Sequence, residues 1–152
     1  MNGRTIFLLA ALAGGAVLPI QVALNTLLRG SANAAPMQVT FISYLAGTLA
    51  SLVVCFVAKY PVPSMTALSQ TSWWMWVGGC LGTFYVWSTI FATPKIGAAL
   101  ALALTIAGQM IAALFLDHYG ALGLTKYAAS PTRIAGVVLV VLGVSLVAYT
   151  RN

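Results

Sequence analysis

Long apolar runs separated by short polar breaks dominate the pattern of this chain. Five runs of about 20 apolar residues recur, and each can cross the roughly 30 Å hydrocarbon core of a bilayer as an α-helix. They predict helices at residues 5–28, 36–58, 73–92, 97–116 and 134–150. The pattern therefore predicts an all-α membrane protein with five transmembrane helices, arranged as a single domain over residues 1–152.

The composition supports lipid as the surrounding solvent. Of 152 residues, 61% are hydrophobic, and seven basic residues and one acidic residue carry all the formal side-chain charge. A soluble domain is normally about a quarter charged, so this chain could not cover a surface that faces water. The basic residues are scattered singly at the helix ends and form no patch. We interpret them as anchors at the membrane surface and predict no nucleic-acid partner.

The N-terminus imitates a cleaved signal peptide, because Arg4 precedes a short apolar stretch and a small-x-small motif. The apolar run continues to Leu28, about twice the usual length of such a core, so we expect the first helix to be retained.

The two cysteines, Cys55 and Cys80, fall within predicted helices, with no His or acid near them in sequence. We interpret them as small apolar residues that fill space between helices.

The connections carry familiar helix punctuation. Gly30 is predicted to end the first helix, and a polar loop is predicted ahead of a Ser72 cap and a tryptophan-rich interfacial start to the third. The motifs "TPKIG" and "SPTRI" share one pattern, a capping Thr93 or Ser130 followed by a proline at the first helical position. The longest connection, 117–133, has room for a short interfacial helix.

Polar and small residues form stripes along four of the five predicted helices at a spacing of 100° per residue. The fifth helix is nearly uniform and aliphatic. The candidate site residues come from these stripes: Gly14, Gln21 and Asn25 on the first helix, Tyr44, Gly47 and Thr48 on the second, Gly78, Gly82 and Tyr85 on the third, and Thr105, Gly108 and Gln109 on the fourth.

Two interpretations of the stripes stay open. Small residues at four-residue spacing let helices approach closely, and amides can simply hold helices together. However, Gln21, Asn25 and Gln109 each need up to four hydrogen-bond partners, and an unsatisfied amide in an apolar medium costs several kcal/mol. A shared polar cavity would supply those partners. Pro19 favours the cavity, because it frees a carbonyl and bends the helix beside the polar pair, as in broken transporter helices.

The chain lacks the residues that other functions require. No Asp, Glu, Lys, Arg or His lies in the middle of a predicted helix, so no buried proton carrier is expected. Asp117 and His118 are neighbours at the end of the fourth helix, which is typical of an interfacial helix end. No pattern resembles a nucleophile with its base, a metal site or a phosphate loop. We therefore predict no enzymatic activity, no metal and no cofactor.

The distribution of positive charge does not decide the orientation. With the N-terminus inside, that side holds Arg4, Lys59, Lys126 and Arg133, and the other side holds Arg29, Lys95 and Arg151. Four against three is a weak bias for the positive-inside rule. Either one orientation is weakly set, or the chain inserts both ways and pairs head to tail.

Four stretches carry a family resemblance: "GGAVLPIQVALNTLLR", "WWMWVGGCLGTFYV", "PKIGAALALALTIAGQMIAALFLDHYG" and "RIAGVVLVVLGVSLV". They resemble the YdcZ-like family of the bacterial drug/metabolite transporter superfamily. The resemblance implies a five-helix protomer in the inner membrane that assembles as an antiparallel pair, with a second copy or a paired homologue. It also implies that the first four helices line the cavity, and it points to Pro19, Gln21, Asn25, Gly108 and Gln109. The related small multidrug exporters use a glutamate in the first helix, which this chain lacks, so proton-coupled cation export is not implied.

Our functional hypothesis is a transporter of a small neutral or zwitterionic solute, working by alternating access in an antiparallel, dual-topology homodimer. Gln21, Asn25 and Gln109 would bind the solute, and Tyr44, Thr48, Tyr85 and Thr105 would complete the walls. Pro19 and the glycines would permit the motion. A dual-topology channel and a non-transporting membrane subunit remain alternatives. The solute, the coupling ion and the direction of transport stay open.

Overall fold

The computed structural model describes residues 3–149, and all regular structure in this range is helical. The elements in order are α1 (Gly3–Ser31), α2 (Pro36–Val57), a short α3 (Met65–Ser69), a 3₁₀ turn (Trp73–Trp76) that runs into α4 (Val77–Ile96), α5 (Ala98–Tyr119), a 3₁₀ turn (Ala121–Gly123) and α6 (Pro131–Tyr149). Five of these segments are long and apolar enough to cross a membrane, counting Trp73–Ile96 as one. The predicted all-α architecture with five membrane-spanning helices is therefore confirmed.

The first helix continues beyond its predicted end. α1 runs to Ser31, and Asn33, rather than Gly30, takes the left-handed conformation that turns the chain, with φ 47°. The Ala34 N–H then donates to the Arg29 carbonyl at 3.1 Å, which closes the helix end. Pro36 begins α2 as predicted. Residue 150, predicted to end the last helix, lies outside the described residues.

The prediction that Thr93 caps a helix beginning at Pro94 is wrong. α4 continues through Pro94 to Ile96, and the break occurs at Gly97, whose φ of 75° suits a residue without a side chain. α5 then begins at Ala98 and extends to Tyr119, three residues past its predicted end.

The matching prediction at the last helix is confirmed. α6 begins at Pro131, and the Ser130 Oγ accepts a hydrogen bond from the Arg133 N–H at 3.3 Å. Proline therefore begins α2 and α6 but lies near the end of α4.

Two connections differ from their predicted structure. α3 lies in what was predicted as a polar loop, and the Ser64 Oγ caps it by accepting from the Ala67 N–H at 3.1 Å. Ser72 precedes the tryptophan turn, but its side chain makes no cap hydrogen bond. The predicted connection 117–133 is shortened to residues 120–130 by the longer α5 and α6. It contains a 3₁₀ turn rather than a short α-helix, with Leu122 in a left-handed conformation at φ 58°.

The chain divides into two compact units, Met1–Pro94 and Lys95–Asn152. In the first unit, a small core of Val39, Val86 and Ile90 joins α2 to α4. Leu28 and Ala34 pack against it from α1 and from the turn that follows. In the second unit, α5 and α6 pack against each other. The single domain over residues 1–152 stays a prediction.

Large apolar side chains cover the outside of the helices, as expected for a surface that meets lipid. On α4, Phe84 is 65% exposed, whereas Ile90, less than two turns away, is fully buried. The side of α4 that carries Ile90 therefore faces the core of the first unit, and the side that carries Phe84 faces outwards. Cys55 and Cys80 are free and exposed.

Candidate functional site

An open groove of about 460 Å³ lies between α1, α2 and α4 in the first unit. Its volume is within the range of small-molecule sites, about 300–1,000 Å³. Seven of its eight lining residues are polar or glycine, although the surrounding helices are apolar. The groove is lined by Gln21, Ser43, Tyr44, Gly47, Thr48, Ser51, Tyr85 and Val86.

Helical spacing explains how α2 builds most of this lining. Tyr44, Gly47, Thr48 and Ser51 follow the i, i+3, i+4, i+7 pattern that places side chains on one face of a helix. Gln21 reaches the groove from α1, two residues after Pro19, and α1 continues as a helix through that proline. A small residue at position 47 keeps the middle of the groove open.

Two of the hydroxyl protons that α2 brings to the groove, those of Thr48 and Ser51, are already used. The Thr48 Oγ1 donates to the Tyr44 carbonyl at 2.8 Å, and the Ser51 Oγ donates to the Thr48 carbonyl at 2.9 Å. Such bonds satisfy hydroxyl groups in an apolar setting. They leave the oxygen lone pairs as acceptors. Thr48 and Ser51 therefore offer hydrogen-bond acceptors to whatever enters the groove.

Tyr85 can donate a hydrogen bond, because its hydroxyl proton is not committed to another of the described residues. Its Oη is buried and has no hydrogen-bond partner among residues 3–149, while the half-buried residue packs against the core of the first unit. A buried hydroxyl without a partner costs about 1–3 kcal/mol. A solute in the groove could supply the missing partner, so Tyr85 is the lining residue with the clearest unmet bonding capacity.

The position of Tyr44 depends on a glycine across the groove. A Cβ added to Gly82 on α4 would lie 2.6 Å from the Tyr44 Oη. No side chain could be added there without moving the phenol. Gly82 therefore makes room for the Tyr44 hydroxyl, and the pair connects α2 to α4 beside the groove.

The lining carries no formal charge in the described part of the chain. Residues 3–149 also hold no group of three or more His, Cys, Asp or Glu side chains that could bind a metal. Primary amide, phenol and hydroxyl groups bind neutral solutes by hydrogen bonds. The groove thus suits a polar solute without a net charge to neutralise.

Several predicted site residues lie outside this lining. Asn25, one turn beyond Gln21, is only 7% exposed. Thr105 and Gln109 lie on α5 in the second unit, where the Thr105 Oγ1 donates to the Leu102 carbonyl at 2.8 Å and Gln109 is exposed. An added Cβ would meet nothing within 4 Å at any of four glycines that were predicted for packing or hinge roles: Gly14, Gly47, Gly78 and Gly108.

Three lining residues, Ser43, Ser51 and Val86, were not among the predicted site residues. Ser51 lies one turn after Gly47, so extending the stripe of Tyr44, Gly47 and Thr48 forwards would have found it. Ser43 lies one turn before Gly47, so extending that stripe backwards would have found it. Val86 carries no polar signal, and its position in the lining follows only from the packing of α4.

The core of the first unit lies at one end of the groove, where Val39 and Ile90 are fully buried, and we call this the closed end. Val39 lies one turn from Ser43 on α2, and Ile90 lies one turn from Val86 on α4. Beside this core, the Arg29 Nη1 donates to the Ile90 carbonyl at 3.1 Å. Toward the other end of the groove, residues 3–17 of α1 and 52–57 of α2 are all exposed.

Asp117 and His118 take part in closing the connection between α5 and α6. Arg133 pairs with the Asp117 carboxylate, and its Nη1 donates to the Tyr127 carbonyl at 2.9 Å. The His118 Nδ1 accepts from the Ala129 N–H at 3.1 Å. Both side chains therefore hold a helix end in place, as their sequence position indicated.

Five lipid-facing helices and an uncharged polar groove define a multi-pass membrane protein with a candidate solute site. The model of the family described as "Putative inner membrane exporter, YdcZ" matches residues 6–146, and the chain belongs to that family. It is 36% identical over 81 residues to the inner membrane protein YdcZ of Escherichia coli (strain K12), across 53% of this chain and 54% of that relative. The alignment thus spans about half the length of the curated relative. No solved structure shows a significant match.

The family confirms the resemblance given by the sequence stretches above. It also confirms a multi-pass location in the bacterial inner membrane. The family is one of membrane exporters, which is not a class of enzymes.

Proposed function

We propose that this chain transports a small polar solute, neutral or zwitterionic, across the inner membrane by alternating access. The observation that carries the proposal is the uncharged polar groove between lipid-exposed helices. Burying amide and hydroxyl groups in an apolar medium is unfavourable unless they gain partners. A transported solute provides partners of the right kind, and membership of an exporter family supports a transport role.

Three lining residues have direct roles in this proposal. The Gln21 amide binds the solute as both donor and acceptor, and the Tyr85 Oη fills its unmet bonding capacity with a solute atom. Thr48 accepts a solute hydrogen bond, since its proton is committed to the Tyr44 carbonyl. Tyr44 forms the wall that Gly82 accommodates.

Asn25, Thr105 and Gln109 remain in the proposal as further solute contacts. They do not line the groove described above, so we assign them to another state of the cycle or to the second copy. Pro19 permits the helix to bend between states, because its missing N–H leaves a carbonyl of α1 without an intrahelical partner.

The working unit we propose is an antiparallel homodimer. The near-even distribution of positive charge along the chain supports this arrangement, and so does the open groove, which a second copy could cover.

The orientation is tested by replacing Asn152 with Cys in a chain with Cys55→Ala and Cys80→Ala. The labelling of this cysteine is then measured from each side of the membrane. Two insertions predict labelling from both sides. Labelling from one side only would contradict the antiparallel arrangement, and dimerisation that requires a related second chain would replace the homodimer by a heterodimer.

Transport is tested with the purified protein in liposomes. Neutral, zwitterionic, anionic and cationic metabolites are applied on a solid-supported membrane, and tracer exchange follows for solutes whose movement carries no current. Gln21→Leu should abolish saturable transport of the neutral or zwitterionic solute. Gln70→Leu is the matched control, because it makes the same chemical change at an exposed position at the end of α3.

The same assay separates the alternatives. Saturation and counterflow exchange support a transporter, whereas flux that neither saturates nor exchanges indicates a channel. If the parent protein moves none of the solutes and Gln21→Leu changes only the stability of the assembly, the chain is a structural subunit. Transport that survives Gln21→Leu unchanged would remove this groove as the solute site.

A further inference from the structure

The closed end of the groove contains a backbone carbonyl whose usual helical donor is missing. In α4, the carbonyl of Ile90 would normally accept from the N–H four residues later. That residue is Pro94, which has no N–H. Ile90 is fully buried, so water does not replace the missing donor.

Arg29 supplies that donor from another helix. Its Nη1 lies 3.1 Å from the Ile90 carbonyl oxygen, and the two residues are 61 positions apart in sequence. The side chain leaves α1 in its last turn, where a positive charge is also favourable to the helix dipole. The bond joins the end of α1 to α4 immediately beside the core that closes the groove.

Because of this arrangement, the closed state of the groove end depends on the hydrogen bond from Arg29. In an unbroken helix, the Ile90 carbonyl would be satisfied whether the groove end were open or closed. With Pro94 present, the carbonyl needs Arg29 while it is buried, and it can accept from water once it is exposed. The free-energy difference between the two states therefore depends on one guanidinium group.

We propose that Arg29, Ile90 and Pro94 form a latch, in which Arg29 is the positioning residue that holds this end of the groove shut. Opening exchanges the guanidinium for water at the Ile90 carbonyl. The latch deepens the transport function proposed above, and its role in a cycle rests on that function. The closure itself is a property of the fold and is tested without a solute.

The test measures water access to the closed end. Val39, fully buried in the core, is replaced by Cys in a chain with Cys55→Ala and Cys80→Ala, and the rate of reaction with a membrane-impermeant maleimide is followed in liposomes. Arg29→Gln should raise that rate about tenfold or more, because the closed state then buries an unsatisfied carbonyl. Arg29→Lys retains a charged donor for a single bond and should stay within about threefold of the parent.

Pro94→Ala provides the decisive comparison. It restores the N–H that can satisfy the Ile90 carbonyl within α4, so Arg29→Gln combined with Pro94→Ala should return to the slow rate. The two chains with Arg29→Gln have the same charge, so a change in membrane insertion cannot explain a difference between them. An unchanged rate in Arg29→Gln, or a fast rate that Pro94→Ala fails to reverse, would overturn the latch.

A cysteine in the second unit controls for loss of structure. Val137 on α6 is 8% exposed, and Val137→Cys should stay slow in the Arg29→Gln chain. Equal acceleration at both positions means general unfolding and would count against the latch. Rescue by Pro94→Ala without transport of any solute would support the latch and contradict the transporter. Transport by the parent protein, together with a labelling rate that Arg29→Gln does not change, would support the transporter and contradict the latch.

Discussion

Two arginines each tie together the ends of helices, one in each unit of the chain, and they do so in different surroundings. Arg29 donates to the carbonyl of a fully buried residue, Ile90, whose own helix offers no N–H at Pro94. Arg133 pairs with Asp117, and these side chains are 37% and 29% exposed. The difference is in what remains when the arginine is removed. Removing Arg29 leaves a buried carbonyl, whereas removing Arg133 leaves a carboxylate and the carbonyl of the exposed Tyr127, which water can reach.

The second unit also has additional bonds around its arginine. The Tyr127 N–H donates to the Asp117 carbonyl at 2.8 Å, and the Ala129 N–H donates to the His118 Nδ1. These bonds hold the connection between α5 and α6 without any contribution from Arg133. The comparison indicates that burial of the partner, rather than the presence of an ion pair, decides how much each arginine stabilises.

The largest effect on stability is expected for Arg29→Gln, about 2 kcal/mol of destabilisation, because hydrogen bonds to charged groups contribute about 1.5–3 kcal/mol. The measurement is thermal or denaturant unfolding in detergent. In the Pro94→Ala chain the same replacement should cost less than about half as much, since α4 then satisfies its own carbonyl. An equal cost in both backgrounds would show that Arg29 stabilises by packing or charge instead.

A smaller effect, of opposite sign, is expected for Tyr85→Phe. This change removes a buried hydroxyl that has no partner among residues 3–149, so the protein should gain up to about 1 kcal/mol in the free energy of unfolding. The affinity for the solute should fall, because the hydroxyl is proposed to bind it. Measuring both quantities on one preparation separates the roles. A loss of stability would mean that the hydroxyl is already satisfied in the empty protein.

Apolar run length was enough to predict the five helices, because crossing a bilayer fixes how many residues a helix needs. The motifs around Pro94 and Pro131 show where local chemistry stops being informative. Both have a hydroxyl residue followed by proline, yet Pro131 begins a helix and Pro94 lies inside one. Inside α4, Pro94 cannot donate to the Ile90 carbonyl, and Arg29 does so from 61 positions away, a contact that no local pattern contains.

The candidate site divides in the same way. Four of the residues predicted to bind the solute, Gln21, Tyr44, Thr48 and Tyr85, do line one groove. Asn25 shares the stripe of Gln21 but not the lining, because a stripe defined at 100° per residue does not resolve which neighbour a side chain meets. Gly82 was selected for close packing of helices, and the structure places the Tyr44 hydroxyl against it instead.

A matched pair of glycines on α4 should differ by their surroundings, just as the two arginines do. Gly79 has nothing within 4 Å of an added Cβ, so Gly79→Ala should stabilise the helix by about 0.5–1 kcal/mol. Gly82→Ala brings the same gain in helix propensity but must displace the Tyr44 phenol, so its net effect on stability should be close to zero. It should also weaken solute affinity, which Gly79→Ala leaves unchanged. Equal stabilities and affinities would show that Tyr44 moves aside freely.

The smallest effect is expected for Arg133→Gln, and it completes the comparison of the two arginines. Exposed ion pairs contribute about 0.2–1 kcal/mol, and the neighbouring backbone bonds remain, so the destabilisation should be near the lower end of that range. Because the pair is partly exposed, raising the salt concentration should shrink the difference between Arg133→Gln and the parent, while the cost of Arg29→Gln should persist. Unfolding of the parent and of both variants, measured at low and at high salt, gives the cost of each replacement under each condition. A loss from Arg133→Gln as large as that from Arg29→Gln would contradict the rule that burial of the partner sets the contribution, and it would make the Asp117 pair a structural equal of the bond to Ile90.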